Sequence, residues 1–112
     1  NCLDLSKKIW TWMESHHIRN EDNQLQDGVR QRDGNCIIAP NVWTYNQGVI
    51  LSGLVNLHRI TQEDAYLTAA HEIADSTLQI MTDAQGILKE LRFEPDDCNP
   101  DAEQFKGIFM RH

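Results

Sequence analysis

Basic residues are scarce in this 112-residue chain: ten Lys and Arg stand against seventeen Asp and Glu, a formal charge of -7. Phosphate binding needs clustered Lys and Arg, and the tightest basic group is Lys7-Lys8, so a nucleic-acid partner is excluded. Long apolar runs are also lacking, which excludes a transmembrane helix within these residues. No secretory-signal pattern is legible, because residue 1 is Asn and Lys7-Lys8 precede no long apolar stretch. Cysteine is limited to Cys2, Cys36 and Cys98, an odd number with no CxxC spacing, so zinc and thioredoxin-type sites have little support. Free or buried thiols, or one disulfide with the third cysteine left over, remain open. The adjacent His16-His17 lacks further ligands nearby, so no metal is expected. Neither a phosphate-binding glycine loop nor a nucleophile elbow is present, and no cofactor is implied.

What remains is 40% hydrophobic and 24% charged, the balance of an ordinary soluble globular protein of at most one domain. Leu5, Ile9, Trp12 and Met13 form a helical stripe, without a convincing N-cap signal before it. Residues 17–42 read as a long connection, with a short apolar alternation around Leu25 to Val29; long ordered connections tend to carry function. A helix follows that is apolar almost all round (Val49, Ile50, Leu51, Leu54, Val55, Leu57), which predicts burial on every side. Thr61 and Asp64 suggest a capped start for an amphipathic helix. Its apolar face is Tyr66, Ala70, Ile73, Ala74, Thr77 and Met81, opposite Glu63, His71, Glu72 and Asp75. A second connection, 82–101, contains a possible short strand at Ile87 to Leu91 and the helix breakers Pro95 and Pro100. Helices are therefore predicted near 3–16, 43–60, 63–81 and 103–112, the second more buried than the third. The expected class is all-α with short β segments in the long loops. Alternating outer and buried helices suit an (α/α) toroid, and truncation at both ends is the simplest reading of the pattern.

Three blocks stand out: Trp43-Thr44-Tyr45-Asn46-Gln47-Gly48, Gly86-Ile87-Leu88-Lys89-Glu90, and Phe105-Lys106-Gly107-Ile108-Phe109-Met110-Arg111. Their order and spacing resemble glycoside hydrolase family 76, the endo-α-1,6-mannanases and their fungal cell-wall relatives. Leu54 to Thr61 and Tyr66 to Ala70 are similar to that family's helix pair. The resemblance implies an (α/α) six-hairpin toroid of which residues 1–112 are a partial domain, middle to C-terminal. It also implies a secreted or wall-associated retaining glycosidase acting on α-1,6-mannan or a mannoprotein glycan. The family's catalytic pair is two adjacent aspartates followed by an aromatic-rich helix, and nothing here matches that context. No catalytic residue is therefore assigned within this chain, which by itself is expected to be inactive. A second chain completing the toroid is one expected partner. Alternatives are a non-hydrolysing carbohydrate-binding or transglycosylating relative, or a helical-repeat scaffold. The last lacks a second repeat copy.

Retaining hydrolysis needs two carboxyl groups flanking the scissile bond. Asp96-Asp97 is the one Asp-Asp here, but its Pro-flanked polar loop reads as solvated turn chemistry. Aromatic faces and amides bind sugars, so Trp43, Tyr45, Asn46 and Gln47 are candidate substrate-binding residues. A packed core with Asn46 as a helix cap is the alternative that residue types leave open; the resemblance favours the groove. Trp43 and Gln47, four apart, are expected to share a helical face. Glu90 is a further substrate-binding candidate, against a plain surface glutamate. Lys106 and Arg111, read as opening the last helix, suggest an ion pair with Asp101 or Glu90. Cys36 and Cys98 each lie seven residues before an aromatic helix start; if both helices begin at one rim of the toroid, a disulfide between them is expected.

Overall fold

The computed structural model describes residues 1–91 and 100–112. The element order is α1 (Cys2–Ser15), β1 (Gln26–Arg32), β2 (Asn35–Val42), α2 (Thr44–Thr61), α3 (Asp64–Ile80) and α4 (Ala102–Arg111). All four expected helices are present within one or two residues of their predicted ends. Among the described residues the class is mostly helical with one two-stranded sheet, and residues 26–42 are where short β segments occur in the first long connection. They form an antiparallel hairpin in which Arg32 faces Asn35. Asp33 and Gly34 both adopt positive φ, 51° and 79°, as a two-residue turn matched to strand twist requires. Around Ile87 the structure shows only the isolated bridge Thr82–Leu88, so the expected strand there reduces to a single pairing.

Local chemistry sets the helix ends. The Asn1 side chain accepts from the Asp4 backbone N–H at 2.9 Å, and Asp4 closes a capping box, so α1 has the N-cap that its sequence was read as lacking. Thr61 does not cap α3. Its hydroxyl donates to the Leu57 carbonyl and accepts from the Glu63 N–H, while Gln62, at φ 61°, turns the chain between α2 and α3.

The core gathers Ile18, Leu25, Leu54, Ala69, Ala70 and Ile73, with Trp10, Met13, Ile50, Leu51 and Tyr66 packed against it. α2 lies against α3 on one side and α4 on the other. Gly48 permits the second contact, because a Cβ there would lie 2.5 Å from the Phe109 Cα. Arg19 ties the layers together by pairing with Glu14 of α1 and Glu72 of α3. The expected burial order holds, with six of the 18 residues of α2 exposed against nine of the 17 of α3, but α2 is not enclosed on every side. α2 buries Thr44, Gln47, Gly48, Leu54 and Leu57, and α3 buries Ala69, Ala70, Ile73, Ser76 and Thr77. Val49 is 50% exposed and Val55 38%, because the described residues place no element over that side of α2. On α1, Leu5, Ile9 and Trp12 are likewise exposed.

Candidate functional site

The first turn of α2 collects most of the residues singled out in the sequence. A helix start leaves its first backbone N–H groups without intrahelical partners. Trp43, the N-cap residue, makes no side-chain capping bond; Glu90 supplies one from a distance in sequence. Its carboxylate accepts from the Thr44 N–H at 3.2 Å and from the Thr44 hydroxyl. A negative charge at a helix N-terminus is favourable, and hydrogen bonds are what make burial of a carboxylate tolerable. Glu90 is 1% exposed. It is neither a surface glutamate nor open to a ligand here.

Gln47 has a comparable role. Its Oε1 accepts from the Leu25 N–H at 2.7 Å, and its Nε2 donates to the carbonyls of Leu25 and Trp43, each at 2.9 Å. The side chain is fully buried. The amide thereby joins the entry of the β-hairpin to the start of α2, which corrects the expectation that it faces a sugar. Trp43, 8% exposed, packs its ring edge-on to Phe105 at 5.3 Å, so the joint Trp43–Gln47 platform does not form either.

Tyr45 and Asn46 remain accessible. Tyr45 lies over Phe105 with centroids 4.4 Å apart, and its hydroxyl donates to Asp27 Oδ1 at 3.2 Å. Asn46 Nδ2 approaches the same oxygen at 3.5 Å. Burial, then the Asp27 charge and hydrogen bond, push the Tyr45 phenol above its ordinary value. Sequence reasoning missed Asp27. A register shift between Gln26 and Gly28 re-aims its side chain toward α2, as bulges do; Gly28 interrupting an alternating stretch was the legible signal. Beside this cluster runs an open cleft of about 450 Å³ whose lining includes Trp12, Leu25, Asp27, Tyr45, Asn46 and Val49.

Arg111 lies in the last turn of α4, where its charge suits the helix dipole, so it closes that helix and does not open it. Cys2 and Cys36 carry exposed thiols. Cys98 and the Asp96-Asp97 pair lie outside the described residues. Among those residues no group of three or more His, Cys, Asp or Glu is arranged to hold a metal ion.

Residues 2–112 match the family model described as glycosyl hydrolase family 76, and the chain belongs to that family. It is 30% identical to the mannan endo-1,6-alpha-mannosidase DCW1 of Candida glabrata, the match covering 97% of this chain and 25% of that protein. The protein of the same name from Saccharomyces cerevisiae is also 30% identical, with 97% and 24% covered. In three dimensions the chain is similar to an inactive variant of the α-1,6-mannanase GH76A of Salegentibacter sp. HEL1_6. In that variant two consecutive aspartates are replaced by alanine, and α-1,6-mannotetrose is bound. The TM-score is 0.80 at 30% identity, over 97% of this chain and 31% of the other. The chain thus spans about a quarter of the length of the curated relatives it matches.

Proposed function

We propose that this chain is the middle to C-terminal part of a secreted or wall-associated α-1,6-mannan hydrolase. In this reading it contributes one wall of the substrate groove in an (α/α) six-hairpin toroid. The observation that carries the reading is the fold match over almost the whole chain to a mannanase with mannotetrose bound. The aspartates replaced to inactivate that protein are adjacent, as expected for the family's catalytic pair. In this proposal the equivalent pair of our protein lies outside residues 1–112.

Within the wall, Tyr45 meets the sugar, its phenol ring offering a face to sugar C–H groups and its hydroxyl a polar edge, while Asn46 lies beside it toward Asp27. Glu90 and Gln47 act beneath them as positioning residues, holding the first turn of α2 against both connections. A disulfide between Cys36 and Cys98 would tie those connections together. Alone, the chain exposes apolar faces on α1 and α2, so it is expected to be marginally stable or to recruit a second chain.

The test is Tyr45→Ala in the complete domain. Loss of one stacking ring should raise KM for α-1,6-mannotetraose about tenfold, in line with the ~1–3 kcal/mol worth of a well-placed pocket contact, read at a temperature where the variant, which also loses its packing on Phe105, is still folded by circular dichroism. An unchanged KM would remove Tyr45 from the groove.

A further inference from the structure

The two connections of the chain carry the same turn, 63 residues apart. In the first, Asn20 Oδ1 accepts from the N–H groups of Asp22 and Gln24 at 3.1 and 2.9 Å. In the second, Asp83 Oδ1 accepts from those of Gln85 and Ile87 at 3.0 and 2.9 Å. The backbone bonds match one for one: Asn20 to Gln24 and Asp83 to Ile87, Asn23 to Asn20 and Gly86 to Asp83, Gln26 to Ile18 and Lys89 to Met81. Asn23 and Gly86 both take positive φ, 60° and 77°, and the isolated bridges Arg19–Leu25 and Thr82–Leu88 coincide. In this register the counterpart of Glu90 is Asp27.

Glu90 caps α2, the inner helix of the hairpin before its own. Asp27 occupies the same place one hairpin earlier, yet it is exposed, and beyond Oδ1 it takes no hydrogen bond among the described residues. The helices repeat as well. Gln47-Gly48 in α2 answers Lys106-Gly107 in α4, which makes Asn46, Val49 and Ile50 the counterparts of Phe105, Ile108 and Phe109. Phe105 and Phe109 are what α4 sets against α2, through the Trp43 and Tyr45 rings and the Gly48 backbone. Asn46, Val49 and Ile50 all line the cleft that Asp27 borders, and Val49 is half exposed.

We infer that this cleft seats the N-terminal turns of an inner helix from another hairpin of the same domain, with the Asp27 carboxylate capping that helix as Glu90 caps α2. The occupant's chemistry follows from the α2–α4 contact: a hydroxyl side chain at its first helical position and a glycine one turn further on, facing Ile50. The inference rests on the toroid reading but concerns assembly of the wall, not contact with sugar.

Hydrogen exchange on the complete domain tests it. Asp27→Ala should speed exchange of first-turn amides in one helix outside residues 1–112 about fivefold, the effect of losing a typical cap. Asp27→Asn, which keeps an acceptor oxygen, should produce a smaller change at the same amides. Val49→Asp should lower the melting temperature by about 4 °C or more, since a covered valine tolerates no charge. Changes confined to residues 20–50, or a Val49→Asp domain that melts like the parent, would overturn the inference. Mannan turnover by the unsubstituted domain is measured alongside, so failure of the activity reading is seen separately.

Discussion

Gly48→Ala puts the packing of α2 on α4 to a quantitative test. By helix propensity alone the change should stabilise, since alanine is favoured over glycine by about 1 kcal/mol in a helix interior. The contact opposes it. The new Cβ would stand 2.5 Å from the Phe109 Cα and 3.1 Å from its carbonyl oxygen, and a backbone cannot swing aside as a flexible side chain can. Overpacking of this kind costs roughly 1–3 kcal/mol, occasionally more, and at the upper end it outweighs the propensity gain. The net expectation is a loss of up to about 2 kcal/mol. In a chain of this size each kcal/mol is worth roughly 4–8 °C of melting temperature. Gly53→Ala is the internal control: it lies in the same helix, and a Cβ there meets nothing within 4 Å, so a gain of about 0.5–1 kcal/mol is expected. Far-UV circular dichroism melts of the 112-residue chain at low concentration, where aggregation is slowest, read both. A Gly48→Ala chain as stable as the Gly53→Ala chain would refute the close approach of the two helices.

Gln47→Leu should destabilise by about 2–4 kcal/mol in urea unfolding, because it strands the Leu25 N–H and removes a donor from the carbonyls of Leu25 and Trp43 at a buried site; a loss under about 0.5 kcal/mol would contradict that role. Backbone N–H groups, Ile87 first, hold the Asp83 carboxyl below its ordinary 3.8. A depressed folded-state value means that its contribution is present above the unfolded value and is lost as pH falls through the folded one. Asp83→Asn should therefore flatten the acid end of the stability profile below about pH 4, while an unaltered acid limb would discount the turn.

The helices were legible because apolar spacing follows the helical period and because Gly, Pro and Asn punctuate the chain; both ends of all four fell close to prediction. Burial was harder to read. The apolar surface of α2 predicted enclosure on every side, whereas Val49 and Val55 are exposed among the described residues. Short β segments were expected in the long loops, but the hairpin was not located although Asp33-Gly34 announced it, because its strands, Gln26–Arg32 and Asn35–Val42, alternate too weakly to mark one buried face. The blocks around Trp43 and Glu90 do come together in the fold, yet residue type did not reveal the contacts made there. An amide and a carboxylate serve a sugar or a helix start equally well. Only the long-range partners, Leu25 for Gln47 and Thr44 for Glu90, decide between them, and no local pattern encodes such pairings. Asp27 escaped for the same reason, since its approach to Tyr45 depends on a bulge.

As proposed, these residues form a wall of an α-1,6-mannan hydrolase whose catalytic carboxyls lie outside them. Retaining chemistry needs its two carboxyl groups about 5–5.5 Å apart across the bond, and in this proposal neither belongs to this chain. The most direct measurement is release of reducing sugar from α-1,6-mannan by the purified 112-residue chain, beside the complete domain. Turnover is expected from the complete domain and none above blank from the chain alone. Turnover by the 112 residues that disappears on Asp97→Asn, or a complete domain inert on α-1,6-mannan, would contradict it.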